Sequence, residues 1–347
     1  MIRRVIPLLI TVGVVAWFYV RRSNPGGGSA ADQARSAIDN LFGKAGVAGK
    51  PSDKAGPSSP PTDTTGKRRF TLAEKRKALK TTVFMDSDKT PAADPPPAVF
   101  TKVKYPAPLG EQVAYVTPEK TDGRHPAVVW IHGGFNWGID EGFWGDGPRD
   151  NDQTAQGFRK AGLVLMIPAL RGGSGNPGRP ECFLGEIDDV IAAADYLAKR
   201  ADVDPNRVYL AGHSTGAFMV LLTAASTDRF RGIFGFGPVA DVRQYGQHSC
   251  LPKGASKAET EPRGVLPFLR EIVTPTVLIE GEQGNANVLP FIERELGGAP
   301  VRIVVVPGAT HFTAIAPGID VVSKAILADT GPTARFDITP EQVLAAK

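Results

Sequence analysis

From about residue 99 the chain alternates short apolar runs with amphipathic stretches, and this alternation constrains the fold more than any other feature. The apolar runs cover residues 113–116, 127–131, 163–170, 208–210, 232–236, 276–279 and 301–306. Helical patterns fill the intervals at 153–161, 186–199, 215–225, 288–296 and 318–328. Strands that are apolar throughout are covered on both faces, and intervening helices supply that cover. The expected fold class is therefore α/β, with a mostly parallel central sheet and helices on both faces, over residues 99–330. Residues 331–347 read as a C-terminal tail. No internal repeat of the kind a propeller needs is present. Within the helical pattern at 186–199, Asp188, Asp189 and Asp195 read as a solvated face.

The N-terminal hundred residues have a different character. Residues 5–20 are uncharged and apolar, bounded by Arg3-Arg4 and Arg21-Arg22. As a helix with a rise of ~1.5 Å per residue this run spans ~24 Å, and flanking arginines can snorkel to both interfaces. Trp17, Phe18 and Tyr19 form an interfacial aromatic belt, and no small-x-small cleavage site precedes Arg21. Residues 1–22 thus read as a retained single-pass transmembrane anchor, with a cleaved signal peptide as the alternative. Residues 23–98 read as a linker, through Asn24-Pro25-Gly26-Gly27-Gly28 and Pro57-Ser58-Ser59-Pro60-Pro61. Within it, Thr71 and Glu74 suggest a capping box for a short, solvated basic helix reaching Lys80. A Pro-rich stretch at 91–97 then leads into the domain. The arginine pairs nearly cancel as topology signals. The long tether favours a domain displayed on the exported, periplasmic or extracellular side, with the membrane as partner.

Composition removes other classes. The net charge of +4 is modest, and basic residues are interspersed with acidic ones, which excludes a nucleic-acid-binding stripe. The two cysteines, Cys182 and Cys250, have no metal-ligand spacing. They leave open a disulfide or two free thiols.

The chemistry is carried by Gly212-His213-Ser214-Thr215-Gly216, which follows the run at 208–210 and opens a helical pattern. A sharp strand-to-helix turn needs small residues at the two glycine positions and leaves the Ser214 hydroxyl above the sheet as a candidate nucleophile. A serine hydroxyl needs a base. Of five histidines, His125 precedes a strand, His132 lies in a glycine motif, His213 is inside the turn, and His248 lies in a loop-rich insertion. His311, in the loop after the last strand, remains as the base. The loop Ile131-His132-Gly133-Gly134-Phe135 can aim backbone N–H groups at a reacting carbonyl, with Gly134 and the N–H of Thr215 as candidate oxyanion donors.

Together, His132-Gly-Gly-Phe135-Asn136, Arg171-Gly-Gly-Ser-Gly175, Gly212-His-Ser-Thr-Gly216 and Gly308-Ala-Thr-His311-Phe312 resemble the catalytic domain of the prolyl oligopeptidase and dienelactone hydrolase branches of the α/β-hydrolase superfamily. The resemblance implies acyl transfer to water through an acyl-serine, acting on small ester or peptide substrates, with no metal or organic cofactor. It also puts His132 in the slot where prolyl oligopeptidases carry an oxyanion-binding tyrosine. The family's acid is usually an aspartate in a Gly-x-x-Asp pattern beyond the seventh strand, where this chain reads Gly281-Glu282-Gln283-Gly284-Asn285. Glu282 is the first candidate, with Asp241, Glu280 or no acid as alternatives. The missing aspartate also motivates a contrasting reading, a membrane-tethered pseudohydrolase that binds ligands. An insertion at about 243–270 is placed to cover the site, and a Cys182–Cys250 disulfide would fix it if the domain is exported. Trp137 and Trp144 read first as core residues and second as pocket lining.

Overall fold

The computed structural model describes residues 70–347. The expected anchor at 1–22 and the spacer up to residue 69 lie outside the described residues. Among the described residues, no helix is long and apolar enough to cross a membrane.

Eight strands form one sheet in the order β1-β2-β4-β3-β5-β6-β7-β8. They are β1 (Thr101–Ala107), β2 (Gly110–Val116), β3 (His125–Ile131), β4 (Val164–Pro168), β5 (Val203–His213), β6 (Ile233–Phe236), β7 (Thr276–Gly281) and β8 (Val301–Val306). The first two run antiparallel and the pairs from β4 to β8 are parallel. The sequence pattern missed β1. It is an edge strand carrying Thr101, Lys102 and Lys104 on exposed positions, a composition that blunts an edge and hides it from a search for apolar runs.

Successive side chains of a strand point to opposite faces, and β3 shows the result. Ala127, Val129 and Ile131 enter one core, while Val128 and Trp130 enter the other. The first core is closed by helices at Glu186–Leu197 and Thr215–Ala224, the second by helices at Gln156–Lys160 and Ile315–Ala328. All ten residues of the Thr215–Ala224 helix are buried, as expected of a helix that is apolar all round.

The folded unit is longer than the sequence pattern indicated at both ends. Residues 70–98 form a belt on the domain instead of a linker. The helix Thr71–Ala78 follows Phe70, so Thr71 is its first helical residue and not its cap; its N–H donates to Glu271 Oε2 at 2.6 Å. Leu72 is fully buried, and Arg76, far from being a solvated charge, donates to Leu184 O at 2.9 Å and Asp188 Oδ1 at 2.8 Å. Further along, Met85 N–H bonds Pro180 O and Asp88 N–H bonds Gly172 O. At the other end Phe336, Ile338 and Val343 enter the second core, so residues 331–347 are part of the domain. In both cases a few apolar residues in polar surroundings are enough for docking, and composition averages conceal them.

One loop collects much of this packing. Cys182 and Phe183 are buried with φ of 57° and 68°, and Cys182 is bonded to Cys250 with Cα atoms 5.6 Å apart. Closing a sequence separation of 68 residues restricts the unfolded chain by about 4 kcal/mol in the loop-entropy account. Arg263, fully buried, donates to Cys182 O and Glu181 O at 2.9 Å each. Asp189, expected on a solvated face, is also fully buried and takes both Nε and Nη2 of Arg171 at 2.9 Å.

Glu186, at the start of its helix, is fully buried beside this loop. One oxygen accepts the N–H of Glu181, and Oε2 has no hydrogen-bond partner. Burial pushes its carboxyl up to about 7, against the opposing pull of Arg171. The folded state therefore holds this proton between about 4.5, the ordinary value, and 7, so the stability contributed by this group falls as pH rises through that window. Glu186→Gln keeps the acceptor and removes the titration. Its stability relative to the parent should rise by roughly 2 kcal/mol between pH 5 and pH 8, read as a few degrees of Tm. An identical difference at both pH values would contradict the buried, proton-holding carboxyl.

Candidate active site

Ser214 joins β5 to the following helix with φ 56° and ψ −114°, a conformation that costs a non-glycine residue energy and holds only where the surroundings enforce it. The enforcement is close packing. A Cβ on Gly216 would lie 2.0 Å from Ile131 O, and one on Gly133 would lie 3.2 Å from the Cβ of Ser214. The Ser214 N–H is taken by Phe236 O at 2.8 Å, which ties the turn to the end of β6.

The loop after β3 lies directly over this turn. Thr215 Oγ1 donates to Gly134 O at 2.5 Å, and Gly134 has φ +91°. The N–H of Thr215 is the first of its helix, one of four without an intrahelical acceptor, and the helix dipole makes that end favourable for negative charge. The sequence pointed to the N–H of Thr215 and not to its hydroxyl, which pins the two loops together.

His311 sits in the loop after β8, braced by Thr310 N–H donating to Thr313 Oγ1 at 2.8 Å and Thr313 N–H donating to Thr310 Oγ1 at 3.1 Å. Its Nδ1 lies 2.9 Å from Glu280 Oε2. Glu280 is 1% exposed, and it also accepts the N–H of Gly281 at 2.6 Å and of Asn285 at 2.9 Å. The carboxylate fixes the Nδ1–H tautomer, which leaves Nε2 as the basic nitrogen.

This corrects the expected partner of His311. Glu282 is exposed and turned away, its Oε2 accepting the N–H of Gly308 at 2.9 Å. Asp241 caps the short helix Val242–His248 and is held by Arg243, through the backbone N–H at 2.8 Å and Nε at 2.7 Å. The difference comes from where β7 ends. It runs to Gly281, two residues past the apolar run, so Glu280 remains in register opposite Val305 of β8 beside the loop that carries His311.

The side chain of His132 is likewise committed elsewhere. Its Nδ1 and Nε2 each lie 2.9 Å from a carbonyl, of Gly133 and Gly138 respectively, which folds the ring into its own loop. His213, set aside by its position inside the turn, is packed on His311 with ring centroids 4.6 Å apart. Burial, followed by the neighbouring charge of His311, holds its imidazole well below the usual histidine range.

Aromatic side chains flank the Gly134 loop. Phe135 contacts Tyr245 at 5.2 Å and Phe183 at 5.9 Å, and Phe183 contacts Trp137 at 5.3 Å, measured between ring centroids. Tyr245 belongs to the insertion that Cys250 ties back to Cys182, so the bridge joins both sides of this wall. Trp137 is buried in the core, and Trp144 packs edge-on against Tyr115 at 5.9 Å.

Residues 150–260 match the sequence pattern of the prolyl oligopeptidase family. An uncharacterized protein of Mycobacterium tuberculosis is 27% identical over 201 residues, covering 56% of this chain and 66% of its own. The dual function macrocyclase-peptidase POPB of Galerina marginata is 26% identical over 191 residues, covering 50% of this chain and 25% of its own. Among solved structures, a Mycobacterium tuberculosis puromycin-hydrolyzing peptidase aligns with a TM-score of 0.55 at 20% identity, over 69% of this chain and 41% of that one. The Pyrococcus horikoshii acylaminoacyl peptidase aligns at 0.54 and 13% identity, over 71% and 43%. The chain thus spans less than half of those structures and just under two thirds of the mycobacterial relative, and the structural likeness concerns the fold. In its motifs, its sheet and this match over residues 150–260, the described domain is similar to the α/β-hydrolase domains of the prolyl oligopeptidase family.

Proposed function

We propose that this domain is a serine hydrolase that cleaves peptide, amide or ester bonds of small substrates. The observation that carries the reading is a serine in a strained turn whose preceding residue, His213, packs on His311, a histidine with its Nδ1 held by a buried carboxylate. Ser214 Oγ attacks the substrate carbonyl carbon as His311 Nε2 takes its proton. The oxyanion is held by backbone N–H groups of Thr215 and the Gly134 loop, where one donor is typically worth about 3 kcal/mol of the barrier. Collapse of the intermediate breaks the bond to the leaving group, which receives the proton from His311, and water repeats the sequence to release the acid. Glu280 steadies the imidazolium throughout. The relatives named as peptidases support peptide and amide bonds within this class. The pseudohydrolase reading rested on a missing acid, and Glu280 removes its motive.

Purified protein assayed with a panel of p-nitrophenyl esters and of aminoacyl and prolyl amides should turn over at least one class, with activity lost on the order of 10³-fold or more in Ser214→Ala. Hydrolysis that survives in Ser214→Ala, or a folded parent inert towards the whole panel, would overturn the reading.

We further infer that residues 1–22 anchor the chain and that the domain works on the oxidising side of the membrane. The Cys182–Cys250 bridge supports this, because such bonds persist in exported compartments and are rare in reducing ones. Protein taken from native membranes and alkylated without reductant should show neither cysteine modified and an N-terminal peptide that includes residues 5–20. Two alkylated cysteines, or a chain beginning beyond residue 22, would refute it.

A further inference from the structure

His213 has an unusual set of neighbours for the residue before a candidate nucleophile. It is 1% exposed, its Nε2 lies 3.2 Å from the backbone oxygen of His311, and its Nδ1 lies 3.0 Å from Gln153 Oε1. Its ring is also within 5.7 Å of that of Phe312, which itself lies 5.1 Å from the ring of His311.

Both polar neighbours of His213 are oxygens, and a neutral imidazole has one N–H. The backbone carbonyl of His311 can only accept, so the proton belongs on Nε2. Nδ1 then needs a donor, which Gln153 supplies when its carboxamide is turned by 180°. The same turn directs the Gln153 oxygen at the side-chain amide of Asn151, 2.7 Å away, which can donate after a matching rotation. The chain Asn151–Gln153–His213–His311 is then satisfied at each link with no charge in it. A charged His213 is disfavoured twice, by burial and by the positive charge that His311 acquires when it takes a proton.

Resting on the serine hydrolase reading, we propose that His213 is a positioning residue: its Nε2–H grips the main chain of His311 while Glu280 grips the ring, so the base is held from two sides. The two grips act on different atoms. Glu280 sets the tautomer and rotation of the imidazole, and His213 sets the height of its backbone above the elbow. Because His213 immediately precedes Ser214, nucleophile and base share one rigid reference. Phe312 packs against both rings and limits sideways movement of the loop.

The test compares His213→Phe and His213→Gln with the parent, using a substrate identified in the hydrolysis panel. His213→Phe keeps a planar ring and removes the donor, so kcat should fall about 10- to 100-fold, as small misplacements of reacting groups do, with KM changed less than about threefold. His213→Gln restores a donor near the Nε2 position and should recover most of kcat. Far-UV circular dichroism and Tm establish that both variants are folded. Parental kcat in a folded His213→Phe would overturn the proposal, as would equal losses in both folded variants or a loss expressed wholly in KM. Should both variants fail to fold, replacing Gln153 by Glu tests the same chain from its far end: its carboxylate cannot donate to Nδ1, so kcat should drop with KM retained, and unchanged kcat would overturn the proposal. A parent inert towards the panel, in contrast, rejects the hydrolase reading itself.

Discussion

The carboxylate of Glu280 is nearly inaccessible to water and accepts three N–H groups, from His311, Gly281 and Asn285. A buried carboxylate is costly unless its oxygens are satisfied, and the partners here come from the end of β7, the turn beyond it and the loop after β8. Satisfying it therefore requires β7 and β8 to be paired in one register and the His311 loop to fold back over their ends. The space around it is correspondingly tight. A side chain on Gly237 would meet His311 within 2.4 Å, and one on Gly284 would meet Glu280 at the same distance. His311 and Glu280 are thus locked by packing as well as by hydrogen bonds.

The parallel sheet explains how residues about a hundred positions apart meet. In such sheets sites form beyond the carboxyl ends of the strands, and here the β3 loop, the β5 elbow, the β7 end and the β8 loop all open on that edge. Ser214 is bonded to the end of β6, Thr215 to Gly134, and His213 to His311, so each loop is tied laterally to a neighbour. The disulfide extends this bracing outward, linking the insertion that carries Tyr245 to the loop that carries Phe183. A rigid scaffold of this kind suits chemistry in which positioning supplies much of the rate.

The fold class was legible because strands buried on both faces leave continuous apolar runs, and the turn at Ser214 because its glycines answer to backbone contacts under 3 Å. The position of His311 in the loop after the last strand was legible too. Glu280 was harder, since a charged residue ending an apolar run looks like the start of a loop. Parity along β7 cannot separate Glu280 from Glu282, and only the strand's true end at Gly281 does so. His132 was legible only in part for a related reason: the motif specified its slot and not its rotamer, and its ring nitrogens each lie 2.9 Å from a carbonyl of its own loop. The belt at 70–98 was hidden because Leu72, Val83 and Ala92 are sparse among polar residues, although each is buried in one of the two cores.

The central claim is that Glu280, and not a carboxylate on the loop beyond it, orients His311. Steady-state hydrolysis by Glu280→Gln and Glu282→Gln, each checked for folding, measures this directly. The account predicts a fall in kcat of about 10²- to 10⁴-fold for Glu280→Gln, because a carboxamide cannot stabilise the imidazolium and can favour the wrong tautomer, with Glu282→Gln close to the parent. Equal activities in the two variants, or a large loss confined to Glu282→Gln, would contradict it.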